Sequence, residues 1–427
     1  MRTSSITQKA QAQLGIKKLR KHQIKPIQSI LDGYDTMVIA PTSAGKSAIY
    51  QLPALIKAKD RQWTLVIEPT LALIGDQVQK LQEKGIAAAS ITGRNGPDHD
   101  KIFQEIRNGQ ITLLYTTPEQ LQTCRLREVM QANNPCLREV MQANNPWLVV
   151  IDEAHCVTVW GYTFRPMYLQ IKHQIAQLKH RPVIAAFTAT APPDDQKDIQ
   201  ELLGMQHTDI YSMSLRRENI TLLKEDCTGL DIDQHQRLKR VGHYIRKYGE
   251  DGRVVVYCSS RRNVDIVTNY LKDKFSGVAK CHAYMDEDER AKQEFQFICG
   301  KKRIMVATTA FGMGVDVSDI RLVLHFNLPL SVIDYYQQIG RAGRDGNPAH
   351  AVLLYAKEDI DLDQYILKHG DYEVSVKDQL AARLDEMADI AFSDSCMVRQ
   401  VLGALGEESS TNCNRCTNCQ RERRGLL

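Results

Sequence analysis

No run of apolar residues in this 427-residue chain approaches the roughly 20 needed to cross a bilayer; the longest, such as Trp147 to Ile151, have the length of a buried strand. No membrane partner is therefore expected. The first residues, MRTSSITQKAQAQLG, contain neither an apolar core nor a small-residue cleavage site, which argues against a secretory leader. That places the chain in the cytoplasm, or in the nucleus of a nucleated cell. A large charge excess is missing too. Lysine and arginine number 55 against 51 aspartates and glutamates, a net charge of +4, which permits nucleic acid without singling it out, because binders concentrate basic groups on one face. An apolar fraction of 43% and a charged fraction of 25% exclude extensive disorder and fibrous classes.

What the chain does have is a rhythm. Short apolar runs rich in β-branched residues alternate with helix-length amphipathic segments, the pattern of parallel sheets covered by helices. TMVIA (36–40), TLVIE (64–68), ITLLYT (111–116), LVVID (148–152) and VIAAFT (183–188) form one series. RVVVYC (253–258), RIMVAT (303–308), LVLHF (322–326) and AVLLYA (351–356) form a second, and in the polar stretch between them, roughly 205–240, the pattern weakens. The expected organisation is an α/β chain with a first domain over 1–205, a second over 206–357 and a helical module over 358–427. One local oddity is the tandem repeat LREVMQANNP at 126–135 and 137–146; two copies do not build a repeat fold, and the duplication is assigned no function.

Chemistry enters after the first strand. APTSAGKS places Lys46 and Ser47 between a strand and a helix, the phosphate-binding arrangement in which backbone N–H groups wrap the phosphates, lysine reaches the β- and γ-oxygens and serine binds magnesium. Thr42, Ser43, Ala44 and Gly45 would form that cradle. Ala40 stands where the strict pattern has its first glycine. The strand LVVI delivers Asp152 and Glu153, followed by Ala154 and His155. A carboxylate at the end of a buried parallel strand suits a metal ion at the sheet's C-terminal edge; Asp152 would hold magnesium through water, and Glu153 would orient or deprotonate the attacking water. In the second series, QQIGRAGRDG offers Arg341 and Arg344, arginines suited to a departing γ-phosphate.

Of eleven cysteines, seven are scattered and four cluster near the C-terminus: Cys396, Cys413, Cys416 and Cys419. In a reducing compartment C-x2-C-x2-C spacing indicates metal, and four thiolates close a tetrahedral structural zinc site with no position open for chemistry. Cys396 is expected at a helix start and the other three on a tight loop.

Together these segments resemble superfamily 2 helicases and, within them, the RecQ family of DNA helicases, in order from about residue 14 to 420. LRKHQ (19–23) looks like the family's adenine-reading element, implying that role for Arg20 and Gln23. EPTLALIGDQV resembles motif Ia, which implies DNA contacts for Asp76 and Gln77. LLYTTPEQL, DEAH, FTATA and VVYCSSRRNVD resemble motifs Ib, II, III and IV. ATTAFGMGVDVSDIRLVLHFNLP resembles motif V and carries Asp316 toward the nucleotide, and DYYQQIGRAGRDG resembles motif VI. CVTVWGYTFRPMY after DEAH is similar to the aromatic-rich loop by which RecQ helicases sense single-stranded DNA, implicating Trp160, Phe164 and Arg165, groups whose planes stack on unpaired bases. The resemblance implies two tandem RecA-like parallel-sheet domains followed by a small helical zinc-binding module. It further implies ATP, Mg2+ and Zn2+ as cofactors and a monomer acting on single-stranded DNA and on tailed or forked duplexes.

Departures keep alternatives open. Val159 and Tyr162 stand where the family has glutamine and histidine, and no winged-helix or HRDC domain follows Cys419. The favoured expectation is an ATP-dependent 3′-5′ DNA helicase serving repair or recombination. The alternative is a DNA-stimulated ATPase that translocates or remodels nucleoprotein without unwinding. An RNA helicase is a third possibility, disfavoured by the zinc cluster and the aromatic loop.

Overall fold

In a computed structural model, residues 5–41, 44–93, 98–122, 137–159, 166–229, 235–309, 311–312, 317–369 and 374–425 are described. The chain divides into two compact units, Met1–Ser214 and Leu215–Leu427. Among the described residues no helix is long and apolar enough to cross a membrane.

The first unit is built on seven strands: β1 (Thr36–Ile39), β2 (Thr64–Ile67), β3 (Ala88–Ile91), β4 (Leu113–Thr116), β5 (Leu148–Ile151), β6 (Val183–Thr188) and β7 (Asp209–Ser212). They pair in the order β3-β4-β2-β5-β6-β1-β7, every pair parallel. Strands β1, β2, β4 and β5 are buried throughout, as expected where helices cover both faces, and Val38, Val66, Tyr115, Val150 and Phe187 enter the core with Ile49, Leu52 and Leu55 of the helix Lys46–Lys57. At the sheet's edge β7 alternates half-buried and exposed.

The second unit carries six strands: β8 (Ile220–Asp226), β9 (Arg253–Tyr257), β10 (Val278–Cys281), β11 (Ile304–Ala307), β12 (Ile320–His325) and β13 (Ala349–Tyr355). Their order is β10-β11-β9-β12-β13-β8, again all parallel. Two parallel sheets thus stand where the two apolar series were read. Helices then take over, at Lys357–His369, Val374–Phe392, Met397–Ala404 and Thr417–Arg423. The polar stretch between the series is not empty of strand: β7 and β8 both fall in it. Strand β8 hid because its polar residues are engaged. The Lys224 ammonium, buried and pushed down to about 8 by desolvation, donates to the carbonyls of Ile390 and Ala391 at 3.4 and 2.8 Å and to that of Ser393, capping the end of the helix Val374–Phe392. Its backbone N–H bonds Thr417 Oγ1 at 2.9 Å, so β8 is the seat of the C-terminal helical module.

Candidate nucleotide site and metal centre

In a parallel sheet the C-terminal ends of neighbouring strands form one edge, and the loops leaving it converge. β2, β5, β6 and β1 are consecutive in the first sheet, so the loops carrying Glu68, Asp152, Thr190 and Lys46 leave side by side.

The loop after β1 opens with Ala40, whose N–H continues the ladder to the Thr188 carbonyl at 3.0 Å and whose φ is not positive. The backbone asks for no glycine there, which accounts for the departure from the strict motif. Gly45 is a different case. Its φ is +79°, and a Cβ would fall 2.8 Å from Gln23 Nε2, so both conformation and space require glycine. Lys46 then begins the helix Lys46–Lys57, with Ser47 half-buried in its first turn. The Lys46 ammonium is buried and donates to no protein group. Desolvating a cation without a partner is costly, so it is fitted for an anionic ligand.

Facing it is a group of acids. The Asp152 N–H bonds the Ile67 carbonyl at 3.0 Å, which sets Asp152 and Glu68 side by side at the ends of β5 and β2. Burial pushes the Asp152 carboxyl up, against the pull of Lys46. Glu68 is fully buried with no donor to either oxygen, and burial, then the charges of Asp152 and Glu153, push it further up. A proton on Glu68 given to Asp152 satisfies both carboxyls. Glu153 adopts φ +50°, a conformation that costs a non-glycine residue on the order of 1 kcal/mol and is retained mostly at functional sites. Its Oε2 lies 3.4 Å from His155 Nδ1. That nitrogen is also 3.2 Å from Thr188 Oγ1, whose hydroxyl donates to the Thr190 carbonyl at 2.8 Å. The acidic motif and FTATA are thereby wired together.

Lys46, Ser47, Asp152 and Glu153 occupy this edge. Gln23 reaches it too, though both ends of its side chain are engaged: Oε1 accepts from the Arg20 N–H at 2.8 Å and Nε2 donates to the Gly45 carbonyl at 3.0 Å. Arg20 stands exposed at the N-cap of the helix Lys21–Asp32. On the helix Leu71–Glu83, Asp76 pairs with Lys80 at 2.8 Å and Gln77 Oε1 accepts from Gln51 at 3.2 Å. Thr42, Ser43, Trp160, Tyr162, Phe164, Arg165, Asp316 and the first copy of the duplicated decapeptide lie outside the described residues. Glu68 was missed by the sequence argument, although the rule that picked out Asp152, an acid at the end of a buried strand, applies to TLVIE equally. A cleft of about 840 Å³ elsewhere on this unit, lined by Lys172, Arg181 and Lys197, is not the nucleotide site: Arg181 is committed to Asp35 and Lys172 to the Glu201 carbonyl.

In the second unit the loop after the helix Val332–Ile339 carries Arg341 and Arg344. The Arg341 guanidinium donates to the Gly312 carbonyl. Gly312, at φ +125°, lies directly under that guanidinium: a Cβ there would fall 2.4 Å from Arg341 Cζ and push the arginine off the carbonyl it bonds. Arg217 holds the loop from below through the carbonyls of Gly340, Ala342 and Gly343 at 3.1, 3.0 and 3.2 Å.

Cys396, Cys413, Cys416 and Cys419 are all buried, with sulfurs within 4.8 Å of one another. Individual separations are 3.5, 3.9 and 4.0 Å, bracketing the roughly 3.8 Å edge of a tetrahedron with Zn–S bonds of about 2.3 Å. The donor set fits zinc. Cys396 is the N-cap of the helix Met397–Ala404, as expected. The other three do not share one loop: Cys416 caps the helix Thr417–Arg423 and Cys419 lies in its first turn, because C-x2-C spacing matches a helical turn as well as a tight loop.

Family models agree with this layout. One for DEAD/DEAH box helicases matches residues 20–199, one for the helicase conserved C-terminal domain residues 235–346, and one for RecQ zinc-binding residues 357–420. The ATP-dependent DNA helicase RecQ of Bacillus subtilis is 34% identical over 95% of this chain and 65% of its own length. The probable ATP-dependent DNA helicase RecS of the same organism is 35% identical over 83% of this chain and 67% of its own. The chain spans about two thirds or less of the length of these and other curated relatives. Among solved structures, the DUF1998 helicase MrfA bound to DNA shares the fold with a TM-score of 0.66 at 19% identity, covering 93% of this chain and 54% of that one. A phosphate loop, an acidic strand end, an arginine loop and a four-cysteine zinc-binding module, in that order and with relatives of this identity, show that the chain belongs to the RecQ family of superfamily 2 helicases.

Proposed function

We propose that this chain is an ATP-dependent DNA helicase that translocates 3′ to 5′ on single-stranded DNA and separates duplexes, in the service of repair or recombination. The observation that carries the ATPase part is the buried Lys46 ammonium, without a hydrogen-bond partner in the protein and set at a helix N-terminus beside the carboxyls of Asp152 and Glu68. Lys46 neutralises phosphate oxygens, the first-turn N–H groups bind them, and Glu153 orients the attacking water and accepts its proton. Ser47 and Asp152 would hold magnesium, which supplies charge neutralisation on the phosphates. In the second unit Arg341 and Arg344 are assigned to phosphate charge, and Asp316 to the nucleotide. Arg20 and Gln23 are assigned to the adenine side, Thr42, Ser43, Ala44 and Gly45 to the phosphate cradle, and Asp76, Gln77, Trp160, Phe164 and Arg165 to DNA.

DNA as the partner is supported by the relatives, which are named as DNA helicases. Phosphate and sugar contacts make such movement independent of sequence. The four cysteines would hold zinc and tie the C-terminal helices together, a structural duty. Strand separation on labelled duplexes with a 3′ or a 5′ tail tests the proposal. ATP-dependent opening of the 3′-tailed substrate alone is expected. ATPase activity stimulated by single-stranded DNA with no opening of either would replace it with the translocase or remodeller, a reading favoured by Val159 at the position where the family has glutamine.

A further inference from the structure

A phosphate loop works only if its N–H groups face the ligand, and each peptide plane has two faces to choose from. Because a trans peptide sets its C=O and N–H in opposite directions, whatever anchors the carbonyl aims the N–H that follows it. No peptide bond in the described residues is cis. In the loop before Lys46 two successive carbonyls are anchored by two successive side chains. His22 Nε2 is 3.0 Å from the Ala44 oxygen, and Gln23 Nε2 is 3.0 Å from the Gly45 oxygen. A carbonyl can only accept, so Nε2 of His22 carries the hydrogen.

Both anchors come from the first turn of the helix Lys21–Asp32, and that turn is itself fixed: Gln23 Oε1 accepts from the Arg20 N–H at 2.8 Å and the Gln23 N–H donates to the Arg20 carbonyl at 3.0 Å. The loop is fixed from its other side by the Ala44 N–H, bonded to the Pro41 carbonyl at 3.1 Å. With the Ala44 and Gly45 carbonyls held toward the Lys21–Asp32 helix, the N–H groups of Gly45 and Lys46 face away from it. They lie at the N-terminus of the helix Lys46–Lys57, where backbone dipoles favour an anion. The close approach that makes this possible is the one that forbids a Cβ at Gly45.

We infer that His22 is a positioning residue of the nucleotide site, which with Gln23 pins two consecutive peptide planes so that the Gly45 and Lys46 N–H groups stay turned toward the phosphates. The inference rests on the nucleotide-site reading above. Replacing His22 by leucine removes the donor while keeping bulk. Replacing it by glutamine keeps a donor at the distance of Nε2 from the backbone.

The test uses the full chain with magnesium and measures ADP and AMP affinity by calorimetry, KM and kcat for ATP, and the thermal midpoint. His22→Leu is expected to weaken ADP about tenfold and to raise KM for ATP by a similar factor, with AMP affinity, kcat and the midpoint little changed. His22→Gln should restore ADP affinity to within about twofold. ADP affinity unchanged in His22→Leu, or a loss that His22→Gln fails to rescue and that tracks a lowered midpoint, overturns the inference. Failure of the unaltered protein to bind ADP overturns instead the site reading beneath it.

Discussion

The two sheets present buried charge at the same place, the C-terminal edge, and treat it in opposite ways. In the second unit Asp359 accepts five hydrogen bonds: two from Arg237 in a fork at 2.9 and 2.8 Å, one from Asn327 Nδ2 at 2.9 Å, and backbone bonds from Leu328 at 3.2 Å and Ala356 at 3.1 Å. Asn327 in turn accepts from Asn263 at 2.9 Å. That network joins the ends of β12 and β13 to the helices that start at His235 and Lys357, and a buried ion pair this well satisfied is part of the frame. In the first unit the Lys46 ammonium has no hydrogen-bond partner, the Glu68 and Asp152 carboxyls have little but a shared proton between them, and Glu153 sits in a strained conformation. Folding does not leave such groups unpaired without a return. Unmet polarity at a sheet edge marks the site that binds, and met polarity marks the site that holds.

If that contrast is right, removing one charge from each edge gives different failures. Asp359→Ala strands the Arg237 guanidinium in a buried environment and is expected to destabilise the second unit by about 3–5 kcal/mol, read as a lowered denaturation midpoint. A cost under about 1 kcal/mol would remove the distinction. Lys46→Ala takes away a cation that bonds nothing in the protein. Its ATPase rate is expected to fall at least ~100-fold, equivalent to about 2.7 kcal/mol in the barrier, while the thermal midpoint stays within about 2 °C. A Lys46→Ala protein that melts much earlier would make Lys46 a frame residue and collapse the comparison from the other side.

The same contrast explains what could be read from the sequence. Buried central strands announce themselves as runs such as LVVI and RVVVY, because both faces are apolar. Strands β3 and β10 are short edge-side strands spelled AASI and VAKC, and β7 and β8 are studded with polar residues, so no apolar run marks them. Lys46, Asp152 and Arg341 could be picked out as candidates because phosphate chemistry favours those residue types next to strand ends and glycines. His22, Arg217 and the Arg237–Asp359 pair could not. Their roles come from partners distant in sequence, such as the 122 residues separating Arg237 from Asp359, and no local spacing encodes that. The helical setting of Cys419 was hidden for a related reason, since ligand spacing constrains sulfur positions more tightly than the backbone between them.

One residue sits on the boundary of the comparison. Asp363 follows Asp359 by one turn on the helix Lys357–His369; it is buried at 5% exposure, with one carboxylate oxygen unpartnered, yet it lies beside the well-bonded Asp359 carboxylate. Burial, then the neighbouring Asp359 charge, push its carboxyl up to about 7. In an unfolded chain an aspartate ionises near ~3.9, so between those two values the folded form holds a proton that the unfolded form has lost. Stability therefore falls as pH rises through that window and stays at its lower level above about pH 7. Asp363→Asn removes the ionisation and keeps the shape. Its stability advantage over the unaltered protein is expected to grow by about 2 kcal/mol between about pH 5 and about pH 8, measured by urea denaturation at the two pH values. An advantage that is equal at both, or a variant less stable at the higher pH, would mean that Asp363 finds its missing partner when it ionises and belongs with the satisfied charges of its own unit.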